Sequence, residues 1–292
     1  EAPRQQPEKH TASLRRCDNP QVPPVTLITG CSRGIGHHAA RALARQGGTV
    51  IATLRDDSAQ AELEADGVEV VFLDVVDRIR VEQGVADVVQ RHGRLDALIA
   101  NAGVGLFGCF EDLDPEQVQA VMAVNFFGVL HCARACLPHL RASKGRLVAI
   151  SSVAGKRGVP GSSLYNASKF ALEGWAEGLR FELAPFGVQV VLIQPGPTET
   201  GFPEARGTGK GAGDGPYAAI TRRIQDLHAE AFENPEPVSV VVDAILRALE
   251  EEHPPFRIPT GRGTRTQILA SRLLPWRAWE TLVRRKLDLP GD

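Results

Sequence analysis

The chain has no excess of basic residues. Its 33 Lys and Arg stand against 35 Asp and Glu, which gives a net charge of −2 and an isoelectric point near 6.5. The electrostatic footprint of a nucleic-acid binder is therefore absent. No apolar run approaches the ~20 residues that span a bilayer. Cysteine is sparse, five in 292 residues, with no CxxC pair. Cys132 and Cys136 stand one helical turn apart, but no histidine or acid joins them at metal-ligand spacing, and the eight histidines show none either. No metal site is expected. Scattered, odd-numbered thiols read as reduced side chains of a cytoplasmic protein, not as a disulfide framework. Residues 1–24 are polar and rich in proline and lack the apolar core of a signal peptide. A disordered leader is expected there. Tyrosine is the scarcest informative residue: there are two, and one of them lies four positions before a lysine, in "SSLYNASKFALEGWA" (162–176).

What remains is an ordinary globular composition, 43% hydrophobic and 23% charged. From Val25 onward, short apolar runs alternate with helical patterns. "VTLIT" (25–29), "TVIAT" (49–53), "VEVVFL" (68–73), "LDALIA" (95–100), "GRLVAI" (145–150) and "VQVVLI" (188–193) have the continuous apolar character of strands buried on both faces. Helical patterns lie at 34–46, 58–65, 77–92, 115–142 and 163–184. His37 and His38, in the first of these, are expected at the surface. Strict alternation predicts an α/β fold: a single Rossmann-type doubly wound parallel sheet with helices on both faces. Residues 25–262 form this one domain, with a substrate loop at about 196–235. Within that loop, 201–215 carries six glycines and reads as either padding or a lid. Residues 263–292 read as a C-terminal amphipathic helical extension. Its stripe runs through Leu269, Leu273, Trp276, Trp279 or Glu280, Val283 and Leu287, with a rim of Arg272, Arg277, Arg284, Arg285 and Lys286. Pro275 falls at a helix start or kink. The expected place of this extension is on its own domain, over the cleft or against a second subunit. Peripheral contact with a membrane surface is the alternative reading.

Three features carry chemistry. First, "TLITGCSRGIG" joins the first strand to the first helix with Gly30, Gly34 and Gly36 in GxxxGxG spacing. Glycines let the backbone approach a pyrophosphate, and the helix N-terminus offers unpaired N–H groups. Second, the second strand ends in "IATLRDD". Leu54 stands where an NAD-binding fold places an acid, and Arg55 follows. With Arg33 in the glycine turn, two guanidiniums favour the 2′-phosphate of NADP(H). NAD(H) stays open through Asp56. Third, Tyr165 and Lys169 share a helix face at i, i+4. A free phenol titrates near ~10, too high for acid–base work at neutral pH, and an adjacent ammonium favours phenolate. Ser152, after the fifth strand, and Asn125, a polar residue amid "VMAVNFFG", complete a candidate catalytic set.

The chain resembles the short-chain dehydrogenase/reductase family through TGxxxGxG (29–36), Asp74, NAG (101–103), Asn125, Ser152, YxxxK (165–169) and PG (195–196) followed by Thr200. The resemblance covers about 25–260. It implies that Ser152 holds the substrate oxygen and Tyr165 passes the proton. Lys169 would bind the nicotinamide ribose and lower the tyrosine pKa, and Asn125 would hold a water linked to Lys169. It implies cofactor contacts from Gly30, Ser32, Arg33, Gly34, Ile35, Gly36, Arg55, Asp74, Val75, Asn101, Ala102, Gly103, Tyr165, Lys169, Pro195, Gly196, Thr198 and Thr200. Asp74 would face the adenine and Thr200 the carboxamide or diphosphate. Within the family, "NAGVGLFG", "ASKFALEG" and "GPTETGF" are similar to runs in 17β-hydroxysteroid and retinol dehydrogenases. That implies a hydrophobic small-molecule alcohol or carbonyl as substrate and a homodimer or homotetramer. The steroid-contacting histidine of that group has no counterpart, because counting back from Asn234 reaches Gly215. The reading of a different class is a dinucleotide-binding sensor or scaffold without turnover.

Overall fold

The structure is a computed structural model that describes residues 24–201, 207–208 and 215–289. The expected leader and most of the glycine-rich segment lie outside the described residues. The order is β1 (Val25–Ile28), α1 (Gly34–Arg45), β2 (Thr49–Leu54), α2 (Gln60–Ala65), β3 (Glu69–Phe72), α3 (Arg78–His92), β4 (Ala97–Ala100) and β5 (Leu106–Phe107). It continues with α4 (Pro115–Met122), α5 (Gly128–Ser143), β6 (Arg146–Ile150), α6 (Ser163–Leu183), β7 (Gln189–Pro195) and β8 (Gly207–Thr208). The chain then forms α7 (Ala218–Ala231), α8 (Ser239–Glu250), β9 (Arg257–Thr260), α9 (Thr264–Leu273) and α10 (Trp276–Lys286).

Seven strands form one parallel sheet in the order β3-β2-β1-β4-β6-β7-β9. The order reverses between β1 and β4, so a crevice opens at their carboxyl ends, where doubly wound sheets bind ligands. The β1, β4, β6 and β7 strands are apolar on both faces because each face has its own core. One core joins the sheet to α3, α5 and α6 through Leu98, Val129, Cys136, Leu147 and Leu172. The other joins it to α1 and α8 through Ile28, Leu43, Ile99, Val191 and Ile245.

Several expectations are corrected. The run 68–73 is not buried on both faces: β3 is an edge strand, with Phe72 exposed. A seventh strand, β9, went unread because "RIPT" is short, charged and contains proline. Among the described residues it pairs only with β7, an edge position that tolerates Pro259. The expected substrate loop at 196–235 contains a 14-residue helix, α7. His37 is buried, not exposed: its Nδ1 bonds Cys31 O at 3.3 Å and its Nε2 lies 3.4 Å from Glu62. Residues 115–143 run as one continuous helix, apolar enough over 18 residues to cross a bilayer by length and composition. Here Val129, Cys132, Cys136 and Leu140 on that helix are buried in the core instead. The C-terminal stripe divides at Pro275. Trp279, Val283 and Leu287 turn inward, whereas Leu269, Leu273 and Trp276 stay exposed.

Candidate active site

Close packing forces the glycine turn into shape. Gly30 has φ +72 and Gly34 φ +63, and a Cβ on Gly30 would stand 2.8 Å from Ala102 Cα. A Cβ on Gly36 would stand 2.4 Å from Asn101 Nδ2. The turn is pinned from both neighbouring strands. Gly30 N–H donates to Thr53 Oγ1 (3.3 Å), and Asn101 Nδ2 donates to the carbonyls of Thr29 and Gly30 (2.9 Å each). Thr29 Oγ1 accepts from the N–H groups of Asn101 and Ala102 (3.0 Å each), which ties NAG to the turn. Asn101 is therefore a clamp between β1 and β4. The 195–200 segment arrives from β7, so that a Cβ on Gly34 would meet Thr200 O at 2.8 Å. Gly196 packs against Thr264 in the same way. Thr198 Oγ1 donates to Gly196 O (2.9 Å) and shapes that segment.

The α1 N-terminus has no side-chain cap at Arg33 and no acid in its first turn. Its N–H groups and dipole are left for an external anion. Arg33 and Arg55 are exposed and both act electrostatically on Asp56. The Asp56 carboxylate is engaged by Ser58, which donates from its hydroxyl and, at 3.1 Å, its N–H. These bonds, helped by the two arginines, hold it below the usual carboxylate range. Leu54 turns into the core. Asp74 Oδ1 accepts from Val76 N–H (3.1 Å). The Val75 side chain packs inward against Gly128 and its carbonyl accepts from His131 Nδ1 (3.0 Å), so any contact it makes with a nucleotide is through its N–H.

Lys169 of the Tyr–Lys pair reaches the same crevice. Tyr165 and Lys169 lie one turn apart on α6, with Lys169 Nζ 5.8 Å from the Tyr165 ring centroid. Lys169 is only 5% exposed, and its Nζ donates to Ile150 O (2.9 Å) at the end of β6. Burial brings its pKa down from 10.5 to about 8, opposed in part by the charge of Glu173. A Cβ on Gly103 would lie 3.4 Å from Asn125 Oδ1 and 3.8 Å from Lys169 Nζ, so both side chains close on NAG. Asn125 sits in a π turn, Ala123–Phe127, that joins α4 to α5. Such turns widen a helix locally and recur at functional sites. Its side chain is fully committed: Oδ1 accepts from Val104 N–H (2.8 Å), and Nδ2 donates to Val104 O (2.9 Å) and Ser168 Oγ (3.1 Å). Ser168 Oγ in turn donates to Tyr165 O (2.7 Å).

Ser152 follows β6 and caps the turn Val153–Gly155, its Oγ accepting from Ala154 N–H at 3.1 Å. That turn is drawn onto α6, since a Cβ on Gly155 would stand 3.1 Å from Lys169 O. Asn166 fastens it further, donating to Ala154 O (2.7 Å) and Arg157 O (3.0 Å) and accepting from Val159 N–H (3.1 Å). Asn166 and Ser168 are positioning residues that reading the sequence missed, although both lie inside the YNASK motif.

The other omission is Glu173, which continues the i, i+4 series after Tyr165 and Lys169. It is 3% exposed. Ser151 Oγ and Gln194 Nε2 donate to Oε1 at 2.7 Å each, and Arg257 Nε (2.9 Å) and Lys156 Nζ donate to Oε2. Burial opposes its charge, but these four donors outweigh burial and keep the carboxyl below the usual range. Ser151 directly follows β6, Lys156 lies in the loop after Ser152, Gln194 is on β7 and Arg257 starts β9, so Glu173 ties three neighbouring segments of the sheet together beneath the site. Its place one turn after Lys169 on the same helix face was the available signal.

A family model described as "short chain dehydrogenase" matches residues 24–210, almost two thirds of the chain. The chain is a short-chain dehydrogenase. It is similar to 3-ketodihydrosphingosine reductase of Bacteroides thetaiotaomicron, 36% identical over 257 residues, covering 87% of this chain and 93% of that one. It is similar also to human 17-beta-hydroxysteroid dehydrogenase type 1, 38% identical over 288 residues, covering 91% and 82%. A short-chain dehydrogenase structure from Streptomyces avermitilis superposes with a TM-score of 0.79 at 32% identity, covering 91% of this chain and 98% of that one. Two further structures, both 26% identical, carry different cofactors. The Burkholderia phymatum protein (TM-score 0.74, covering 93% and 98%) is in complex with NAD, and the Burkholderia cenocepacia protein (0.71, 92% and 99%) with NADP. This dehydrogenase is therefore an NAD(P)-dependent oxidoreductase acting on CH–OH groups. The glycine turn fits such a dinucleotide, because side chains there would fill the space against which the backbone must close.

Proposed function

We propose that this dehydrogenase interconverts a hydrophobic alcohol and its ketone or aldehyde, with NADP(H) as the preferred cofactor. The observation that carries the reading is the approach of Lys169 and Asn125 to Gly103 beside the glycine turn, with Tyr165 one helical turn from Lys169. When bound, the dinucleotide supplies or accepts the hydride. Gly30, Ser32, Arg33, Gly34, Ile35 and Gly36 would hold its phosphates with Thr198 and Thr200, while Asp74, Asn101 and Lys169 would seat its ribose and base ends. Ser152 would orient the substrate oxygen. Tyr165 would give that oxygen its proton in reduction and take it back in oxidation. Lys169, a cation below about pH 8, favours the phenolate and so makes the transfer easier in both directions. Asn125, its amide protons already donated, would act by holding NAG and Ser168 in register beneath the phenol.

Preference for NADP(H) is supported by exposed Arg33 in the glycine turn, by exposed Arg55 just past β2 and by the commitment of Asp56 to Ser58. A hydrophobic substrate is supported by the names of the two relatives, one acting on a sphingoid ketone and the other on a steroid. A two-fold dimer through α5 and α6 is supported by exposed Phe127, Phe170 and Phe181 on or beside those helices. The test is a panel of long-chain, steroid and short polar carbonyls, followed by nicotinamide absorbance with NADPH and with NADH. Turnover confined to short polar carbonyls would defeat the substrate reading, and no turnover on any of them would defeat the catalytic one.

A further inference from the structure

We propose that the corner between α9 and α10 is a docking surface for an anionic lipid bilayer. Pro275 breaks the C-terminal helix and sets Leu273 and Trp276 on either side of the break, 72% and 64% exposed. Leu269, one turn before Leu273 on α9, is 56% exposed. The inward sides of these helices are already satisfied: Thr264 and Ile268 are buried on α9, and Trp279 of α10 lies under Arg157, whose guanidinium is 4.9 Å from its ring. Arg157 also donates to Ser271 O, and Arg223 Nε to Lys286 O (2.8 Å), which fastens both helices to the domain. The exposed leucines and tryptophan are therefore held outward on a fixed support.

Charge identifies the occupant. Residues 263–289 carry six basic and two acidic side chains, in a chain whose net charge is −2. Both acids have partners, Glu280 in Arg284 and Asp288 in Arg223, at 3.3 Å each. Arg265, Arg272, Arg277, Arg285 and Lys286 are exposed around the apolar corner. An indole and leucines ringed by guanidiniums suit the boundary between acyl chains and anionic headgroups. A second copy suits it poorly, since a two-fold contact would set the same cations against each other. Only the value of this surface for substrate supply rests on the hydrophobic-substrate reading, and vesicle binding is measured without turnover, so either can fail alone.

The experiment is flotation of the whole protein with phosphatidylcholine vesicles, with and without about 30% phosphatidylglycerol. Binding should be at least about tenfold tighter with the anionic lipid and should weaken as salt rises. Leu273→Ser with Trp276→Ser should abolish it, and Arg272→Glu with Arg277→Glu should remove the preference for anionic lipid. Because these side chains are exposed, the circular dichroism and melting temperature of both variants should match the parent. Tryptophan emission should be quenched by brominated acyl chains, and less so in Trp276→Phe. Three results would overturn the proposal: no binding at millimolar lipid, equal binding to neutral vesicles, or light scattering in which Leu273→Ser with Trp276→Ser dissociates an oligomer. The last would assign the corner to a second copy.

Discussion

Replacing Glu173 by alanine tests whether the sheet segments beneath the site are held electrostatically. The substitution leaves two cations, Lys156 and Arg257, without their shared carboxylate, together with two orphaned donors, Ser151 Oγ and Gln194 Nε2. Their side chains are mostly covered, 13% exposed for Lys156 and 21% for Arg257, so water replaces the lost partner poorly. Removing one member of a buried ion pair typically costs about 3–5 kcal/mol. Arg257 keeps Glu177 and Lys156 can partly swing out, so the lower end, about 3 kcal/mol, is the better figure. At roughly 2–4 °C per kcal/mol for a large domain, the midpoint of thermal unfolding should fall by about 6–12 °C. The control is Glu177→Ala, whose side chain is 57% exposed and pairs with Arg257. A pair of that kind contributes at most about 1 kcal/mol. Melting followed by circular dichroism at pH 7 and low salt separates the two. If both variants melt within about 2 °C of the parent, the Glu173 cluster does not anchor the sheet. The carboxyl of Glu173 lies below its ordinary value, so its stabilisation is present above the unfolded pKa near ~4.3 and is lost as pH falls through the folded one. The gap between parent and Glu173→Ala should therefore close in acid.

Tyr165→Phe should lower kcat at least about a hundredfold with cofactor affinity little changed, because it removes the proton carrier alone. Retention of more than about a tenth of the rate would place the proton carrier elsewhere. Lys169→Ala should instead weaken cofactor binding and move the pH optimum upward, as the phenol loses its cationic neighbour. The parent should bind NADPH roughly tenfold or more tighter than NADH, and Arg55→Asp should reverse that order. Equal affinities in the parent, measured by fluorescence titration, would remove the role given to the arginines. Burial lowers Lys169 from 10.5 to about 8, so the folded, cofactor-free protein binds fewer protons than the unfolded chain in that window. Urea-unfolding stability should therefore gain a contribution that grows from about pH 8 to 10 and is missing in Lys169→Met. Light scattering at micromolar concentration should show a dimer or tetramer, and Phe181→Asp should shift it toward monomer; a monomeric parent would remove the proposed interface.

The sequence by itself determined the fold class, most of the strands and the motifs that carry chemistry. Continuous apolar runs such as "LVAI" and "VVLI" admit only strands covered on both faces, and their alternation with helices admits only parallel crossovers. The motifs around Gly30, Asn125, Ser152, Tyr165 and Lys169 were each legible in the sequence, and their meeting in one site was implied by the resemblance to the family. Tertiary structure decided what depends on partners distant in the chain. β9 exists as a strand only because β7 offers an edge, and His37 is buried because α1 packs where Cys31 and Glu62 can reach it. Glu173 looks like any helical acid until Ser151, Lys156, Gln194 and Arg257 arrive from four other segments. The C-terminal stripe, continuous on a helical wheel, was cut by Pro275 into an inward half and an outward half. Where a side chain finds its partner within one turn or one strand, sequence suffices; where the partner lies on another element, as Arg257 does for Glu173 and β7 does for β9, only the folded chain brings the two together.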